Sequence, residues 1–226
     1  MNFLFKLSDD PVSFEENRIH TLIIENKKLF RSVLTAFEFG VSEEYFVFSE
    51  NFTPFDFDKK GFYIGNVLNV DINNKKLSTK INGYLEKITN DELYVELSEV
   101  KSALLGLGDA LSDFTDYDFS FKQDFDTLSI VKFLNFSLCK DDFTEEEILL
   151  KFTFLLAKYL GIKLFVTANL FLYFEKDELK QIFETIILNN MFILDIEGFN
   201  PECLREYCDY HIIDKDLCSI DNNENY

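Results

Sequence analysis

The fold is decided by two short apolar runs, GIKLFVTAN (161–169) and MFILDIE (191–197), which flank the amphipathic segment Lys176–Leu188. Within that segment apolar residues recur at helical spacing, at Leu179, Ile182, Phe183, Ile186 and Ile187. The order strand, helix, strand is typical of a parallel crossover. Because parallel strands are buried on both faces, they are expected to be continuously apolar, as both runs are. The sequence therefore predicts an α/β fold with a mostly parallel sheet.

Length and composition indicate a globular protein. The chain has 226 residues, of which 47% are hydrophobic, which is enough for a sizeable core. It has no apolar run of about eighteen residues, and its start, MNFLFKLSDDPVSF, becomes acidic where a signal peptide would continue apolar. We therefore expect a cytoplasmic protein that does not bind membranes, with its four cysteines reduced.

The charge balance limits the partners that the chain can bind. Twenty-two basic residues against 41 acidic ones give a net charge of -19, which repels nucleic acid at long range. Any DNA binding has to be local. The basic residues cluster at predicted element boundaries. Their long side chains could reach a phosphate backbone there, or they could simply be solvated. Six of them are candidate DNA contacts: Lys27, Lys28, Lys59, Lys60, Lys75 and Lys76.

A helical insertion interrupts the α/β pattern. Residues 74–113 contain two successive stretches of helical periodicity, whereas strand-like patterning precedes and follows them. The sequence predicts an α/β head made of residues 1–73 and 114–226, with an inserted helical arm at 74–113. Residues 219–226, SIDNNENY, are predicted to be a disordered tail.

Two features argue against nucleotide hydrolysis. The apolar run 19–25 leads directly into a predicted helix through ENKKLFRS, which lacks the glycines that let backbone N–H groups approach phosphates. The run that ends at Asn169 resembles the second strand of a P-loop ATPase, but it ends in an amide where an acidic residue would hold magnesium. We expect a P-loop ATPase-like core without its phosphate loop, and no catalytic residue.

An acidic segment is the candidate metal site. DYDFSFKQDFD supplies four carboxylates, the ligands that calcium prefers, at Asp116, Asp118, Asp124 and Asp126, although a solvated acidic turn is the plain alternative. A zinc site is disfavoured, because the Cys and His residues between 203 and 218 lack a CxxC pair. His20 and His211 fall inside predicted strands and are interpreted as strand residues rather than catalytic groups.

Taken together, several segments resemble a known family. They are MNFLFKLSDDPVSF with IHTLIIEN, VTANLFLYFEKDEL, LNNMFILDIE, and DYHIID near the end. In this order and spacing they resemble the short form of the ring-forming accessory adaptation protein of type II-A CRISPR systems, which has no nuclease motif.

The resemblance implies several properties that the residues alone do not. It implies an α/β head with a helical leg, and a homotetrameric ring that takes the ends of double-stranded DNA through a lysine-lined hole. It also implies bound calcium, and action beside the CRISPR integrase and the effector nuclease in spacer acquisition.

Two other classes of protein stay open: a divergent nucleotide-binding enzyme of ATPase or kinase type, and an acidic protein-interaction adaptor.

Overall fold

The computed structural model describes residues 1–8, 10–14, 18–114, 117, 119–139, 143–201 and 203–221. The chain forms two compact units, one made of residues 1–71 and 140–226 and the other of residues 72–139. We call the first the α/β head and the second the helical unit.

Within the described residues the head contains ten strands, five α-helices and a 3-10 helix at Ser42–Glu44. The strands are β1 (Asn2–Phe5), β2 (Val12–Ser13), β3 (Ile19–Ile24), β4 (Phe46–Glu50), β5 (Thr53–Pro54), β6 (Gly61–Ile64), β7 (Leu164–Ala168), β8 (Phe192–Glu197), β9 (Cys208–Ile213) and β10 (Ser219–Asp221). The helices are α1 (Lys27–Glu38), α2 (Phe57–Lys60), α6 (Glu145–Leu160), α7 (Leu170–Tyr173) and α8 (Lys176–Leu188); the helical unit supplies α3 (Lys75–Asp91), α4 (Tyr94–Asp113) and α5 (Thr127–Phe133).

The main sheet has six strands in the order β10-β9-β3-β8-β7-β6. Five of these strands run parallel, and β10 alone pairs antiparallel, with β9. Strands β7 and β8 are neighbours joined by α8, which is the parallel crossover that the sequence predicts. The α/β class with a mostly parallel sheet is confirmed.

The main sheet is covered on both faces. Every residue of β3 and of β7 is buried. One face packs against a second, antiparallel sheet of order β2-β1-β4-β5 through a phenylalanine-rich core that includes Phe3, Phe5 and Phe46. Helix α8 packs against β8 and α6, and buries Leu179, Ile182, Phe183 and Ile186, which belong to the predicted apolar stripe.

The helical unit is built on the α3–α4 hairpin, with α5 against α3. The hydroxyl of Thr127 on α5 donates a hydrogen bond to Asn90 Oδ1 on α3, at 2.8 Å. The predicted arm ended at residue 113, whereas the observed unit extends to Cys139. The difference arises because α5 follows a non-helical segment in sequence yet packs on α3, a contact that periodicity does not reveal.

Asn73 ties the two chain ends of the helical unit together. Its side-chain Oδ1 accepts a hydrogen bond from Leu138 N at 2.8 Å, and its Nδ2 donates one to Leu138 O at 3.1 Å. One amide side chain therefore satisfies both backbone groups of a residue 65 positions away. The insertion is closed where it begins and ends.

The predicted disordered tail is partly wrong. Residues 219–221 form β10, in which Ile220 pairs with Ile212 of β9. A turn that Asp214 stabilises, by accepting from Asp216 N and Cys218 N, directs the chain back onto β9. Polar composition hid this edge strand, and residues 222–226 of the predicted tail lie outside the described residues.

Replacing Asn73 by Ala should loosen the base of the helical unit. Two hydrogen bonds are lost and the Leu138 backbone groups lose their partner, so we expect the free energy of unfolding to fall by about 1–2 kcal/mol. Urea unfolding measures the loss, and hydrogen exchange should accelerate at the Leu138 amide. Asn82→Ala on α3 is the control, because Asn82 forms no side-chain hydrogen bond among the described residues. Equal effects of the two changes would contradict this role for Asn73.

Candidate nucleic-acid interface

The carboxyl ends of β3, β8 and β7 meet at one edge of the main sheet. In open α/β sheets this edge is where ligands bind, because loops and helix N-termini converge there. Asn26 and Lys27 follow β3, Asn169 follows β7, and Glu197 ends β8. The chemistry available at this edge decides whether a nucleotide could be held there.

The start of α1 is occupied by the chain itself. Only Glu25 and Asn26 connect β3 to α1, and Asn26 Oδ1 accepts from Lys28 N and Leu29 N, each at 3.1 Å. Asn26 Nδ2 donates to Lys215 O at 3.0 Å, which fixes the side chain in place. Two of the N–H groups that a phosphate would need are therefore already bonded, and no glycine lies between β3 and α1.

Asn169 has a backbone role. It adopts a left-handed conformation with φ of 60°, which asparagine tolerates better than most residues, and it turns the chain from β7 into α7. Its N–H donates to Ile196 O at 3.1 Å and extends the pairing of β7 with β8. The neutral amide therefore fits a turn position.

Sequence reasoning missed a buried acidic pair on β8. Asp195 and Glu197 lie two residues apart on one face of the strand, and both are fully buried. Asp195 Oδ1 accepts from the Thr167 hydroxyl at 2.8 Å, and Glu197 Oε1 accepts from Phe171 N at 2.8 Å. The alternation of acids with apolar residues in MFILDIE was the available signal. An acidic residue does stand at a strand end, on β8 rather than β7.

The buried pair retains a proton at neutral pH. Burial raises the pKa of Asp195 to about 6, and burial together with the charge of Asp195 raises the pKa of Glu197 to about 10. Because each charge in this buried layer is costly, the pair favours a state with one proton over a state with two carboxylates. The second oxygens, Asp195 Oδ2 and Glu197 Oε2, have no hydrogen-bond partner among the described residues. The first oxygens hold β7 and α7 to β8, which is a structural role.

The six predicted DNA-contacting lysines fall in three places. Lys27 and Lys28 begin α1 at the carboxyl edge, whereas Lys59 and Lys60 precede β6 and lie at the opposite, amino edge. Strands β3 and β6 are three positions apart in the sheet, or about 14 Å, so the two pairs do not form one patch. Lys75 and Lys76 begin α3 in the helical unit.

The lysines also differ in their ion pairs. Lys59 Nζ lies 2.6 Å from Asp56 Oδ2, and Lys60 Nζ lies 3.6 Å from Glu50 Oε2. Glu50 also accepts from Lys163 Nζ at 2.5 Å, a cation that sequence reasoning missed because 113 positions separate the two residues. Within the described ranges the remaining four predicted lysines form no ion pair, and all four are exposed: Lys27, Lys28, Lys75 and Lys76.

Helix α3 presents a basic stripe that the sequence revealed only in part. Lys76, Lys80, Gly83 and Lys87 recur at intervals of four, three and four residues, which places them on one exposed face of the helix. No carboxylate among the described residues pairs with these three lysines. A Cβ atom added at Gly83 would meet nothing within 4 Å, so the centre of the stripe is open.

The predicted calcium site stays a prediction. Asp116 and Asp118 lie outside the described residues. Asp126 caps α5: its Oδ1 accepts from Ser129 N at 2.8 Å, and its Oδ2 accepts from the Ser129 hydroxyl at 2.7 Å and pairs with Lys122 at 3.6 Å. Asp124 is exposed. In the portion of the chain that the structure covers, no three Cys, His, Asp or Glu residues are grouped to hold a metal.

The two histidines are strand residues, as the sequence predicts. His20 is buried on β3, and its ring stacks on that of His211 with the centroids 5.6 Å apart. Burial, with the neighbouring His211, lowers the pKa of His20 to about 4. Burial also raises the pKa of the Cys208 thiol to about 12, which makes it a poor metal ligand.

Comparison with known proteins identifies the family. The family described as CRISPR-associated protein (Cas_Csn2) matches residues 38–217, which is well over half of the chain. The chain belongs to this family, whose members are accessory proteins of CRISPR adaptation. A search of curated proteins found no match. Among the described residues, no helix combines the length and apolar character needed to cross a bilayer.

Glu197→Gln should remove a pH dependence of stability. Because the folded protein holds a proton that the unfolded chain releases above the ordinary value of 4.5, wild-type stability should fall as pH rises from about 4.5 toward about 10, at about 1.4 kcal/mol per pH unit. Glutamine keeps an oxygen for Phe171 N and has no such proton to lose. In thermal unfolding from pH 5 to 9, the melting temperature of the variant should increase relative to that of the wild type as pH rises.

The control for this experiment is Glu44→Gln, which changes an exposed glutamate of the head. It should preserve the wild-type pH profile. A wild-type profile that is flat over the same range would mean that Glu197 is not protonated in the folded protein.

Proposed function

We propose that the protein is a non-catalytic, ring-forming accessory that binds the ends of linear double-stranded DNA during CRISPR spacer acquisition. Family membership supports the CRISPR setting. The observation that carries the DNA contact is the α3 stripe of Lys76, Lys80 and Lys87, whose ammonium groups are not neutralised by any described carboxylate.

The geometry of the stripe suits a phosphate backbone. Eleven residues separate Lys76 from Lys87, which is about 16 Å along the helix axis, so the stripe can contact several phosphates. Lysine contacts with phosphate release counterions and carry no sequence information. The binding we propose is therefore independent of sequence and sensitive to salt, and it remains local in a chain whose net charge is -19.

Helix α4 supports assembly into a ring. None of its residues is buried, although it carries many apolar side chains, and four of them are markedly exposed: Tyr94, Val95, Leu107 and Leu111. An apolar helix in water favours association, and a second copy offers the same apolar surface. We propose that α4 buries this surface in a homotetramer. A closed ring would repeat each α3 stripe around its axis and so add their fields.

The lack of catalysis is part of the proposal. Asn26 fills the start of α1, and the oxygens of Asp195 and Glu197 that have partners hold neighbouring elements. A nucleotide would find neither phosphate-binding amides nor an available carboxylate at this edge. We propose that the head is a P-loop ATPase-like core without its phosphate loop, which this arrangement supports. We propose that the integrase and the effector nuclease of the same system do the chemistry.

Calcium is a further part of the proposal. Carboxylate oxygens in a short acidic segment are suited to it. Of the four predicted ligands, Asp126 already caps α5. It would bind a cation through the oxygen lone pairs that its hydrogen bonds to Ser129 do not use. A bound cation would reduce the negative charge that opposes DNA binding.

Changing Lys76, Lys80 and Lys87 together to Ala should weaken DNA binding and its dependence on salt. Each phosphate contact that is lost should lower the log-log salt slope by about 0.9. Fluorescence anisotropy with linear duplexes of unrelated sequence, repeated over a range of salt concentrations, measures the affinity and its salt dependence. The matched comparison is Lys180→Ala on α8 of the head, which should have a smaller effect because Glu184 already pairs with that lysine. If the triple variant bound like the wild type, α3 would not be the contact.

Leu107→Gln with Leu111→Gln should disrupt the assembly. Light scattering should return a tetramer for the wild type and smaller species for the variant, because the change makes the exposed face of α4 polar. Circular dichroism should show unchanged helicity. Leu188→Gln is the control, since Leu188 is equally apolar and 80% exposed but lies on α8 of the head. A monomeric wild type at micromolar concentration would refute the ring.

A further inference from the structure

The β4–β5 hairpin carries an unusual turn. Glu50 pairs with Thr53, so the loop consists of Asn51 and Phe52 alone, and both have positive φ, of 51° and 62°. This is the type I′ geometry, in which the second position strongly favours glycine. A side chain in the left-handed region costs conformational energy, and a bulky one has no local hydrogen bond to offset it.

Phe52 makes no contact with an aromatic ring or a cation in the described part of the chain that would offset this cost. Its side chain is fully exposed, at 102% of the reference area. By contrast the neighbouring phenylalanines Phe48, Phe55 and Phe57 pack together in the core. The protein therefore holds an aromatic ring in water, at the tip of a hairpin, at the expense of its own stability.

Two lysines at the base of this hairpin share one acid. Lys60 and Lys163 both pair with Glu50, whereas the neighbouring Lys59 pairs with Asp56. The ammonium groups of Lys60 and Lys163 remain about half exposed, and surface ion pairs of this kind are weak enough to exchange for a phosphate. Glu50 is two residues from Phe52, at most about 7 Å between Cα atoms, so the ring and the two lysines that pair with Glu50 belong to the same region of the hairpin.

We propose that Phe52 stacks on the exposed terminal base pair of a DNA duplex while Lys60 and Lys163 contact its backbone. This rests on the proposed function and assigns the part of the surface that recognises an end. A base pair presents a flat apolar face to water only at a duplex end, and aromatic side chains stack on such faces without regard to sequence. Phosphates lie beside that face, as the lysines lie beside Phe52. A protein pocket would accept the ring but gives no reason for the adjacent cations.

The test compares Phe52→Gly with Asn51→Gly in the full-length protein. Phe52→Gly relieves the turn and should raise the melting temperature by about 2 °C, whereas Asn51→Gly should leave it nearly unchanged, because asparagine already suits the first position of the turn. Only the first change removes the ring. Binding is measured by anisotropy to a blunt linear duplex and to the same duplex closed at both ends by hairpin loops. Phe52→Gly should lose about tenfold in affinity for the open duplex and nothing for the closed one. Asn51→Gly and Phe52→Tyr should bind as the wild type does.

A second measurement is independent of affinity. 2-Aminopurine at the terminal position should be quenched when the wild type binds, and not when Phe52→Gly binds. Loss of affinity for both duplexes alike, an unchanged affinity for the open duplex, or a changed oligomeric state in Phe52→Gly would each overturn the assignment while the proposed function stands. A wild-type protein that fails to bind the open duplex would instead defeat the proposed function, and this inference with it.

Discussion

Three neighbouring strands, β3, β8 and β7, are closed to water on both faces, and this constraint governs the rest of the head. A polar group inside such a layer has to find its partner within the protein, or remain neutral. Asp195 accepts a hydrogen bond from the Thr167 hydroxyl, and Glu197 accepts one from the backbone of α7. The pair favours keeping one proton, because two buried charges would be costly. Groups that meet solvent and ligands are consequently confined to strand ends, connecting turns and the helical unit.

Burial on both faces is also why the sequence predicted the fold so directly. Two continuous apolar runs around an amphipathic segment are compatible with few arrangements besides a parallel crossover, and the structure has β7, α8 and β8 at those positions. The start of α1 and the absence of a phosphate loop before it could also be predicted from the sequence. A chain that enters a helix at Lys27 without a glycine cannot form a phosphate loop, and the structure adds that Asn26 caps this helix.

The candidate site was less accessible to sequence reasoning, because it depends on strand order and distant pairing. Lysine pairs look alike in sequence, yet β3 and β6 direct two of them to opposite edges of the sheet. Glu50 neutralises Lys60 through a contact that also recruits Lys163, more than a hundred residues away. The backbone conformation of Phe52 follows from the register of β4 with β5, since the same residue in a longer loop would carry no conformational cost.

The hydrogen bonds between Asn73 and Leu138 bear on how this chain tolerates change. The hydrogen bonds hold the first and last residues of the insertion together. For the rest of the chain the insertion therefore acts as a short connection, whatever number of residues it contains. The entropy of closing such a loop grows only logarithmically with its length. Helices of the insertion can therefore lengthen, shorten or acquire new surfaces at little cost to the folding of the head. The same freedom does not extend to the buried sheet, where a change of length would break strand pairing and packing on both faces.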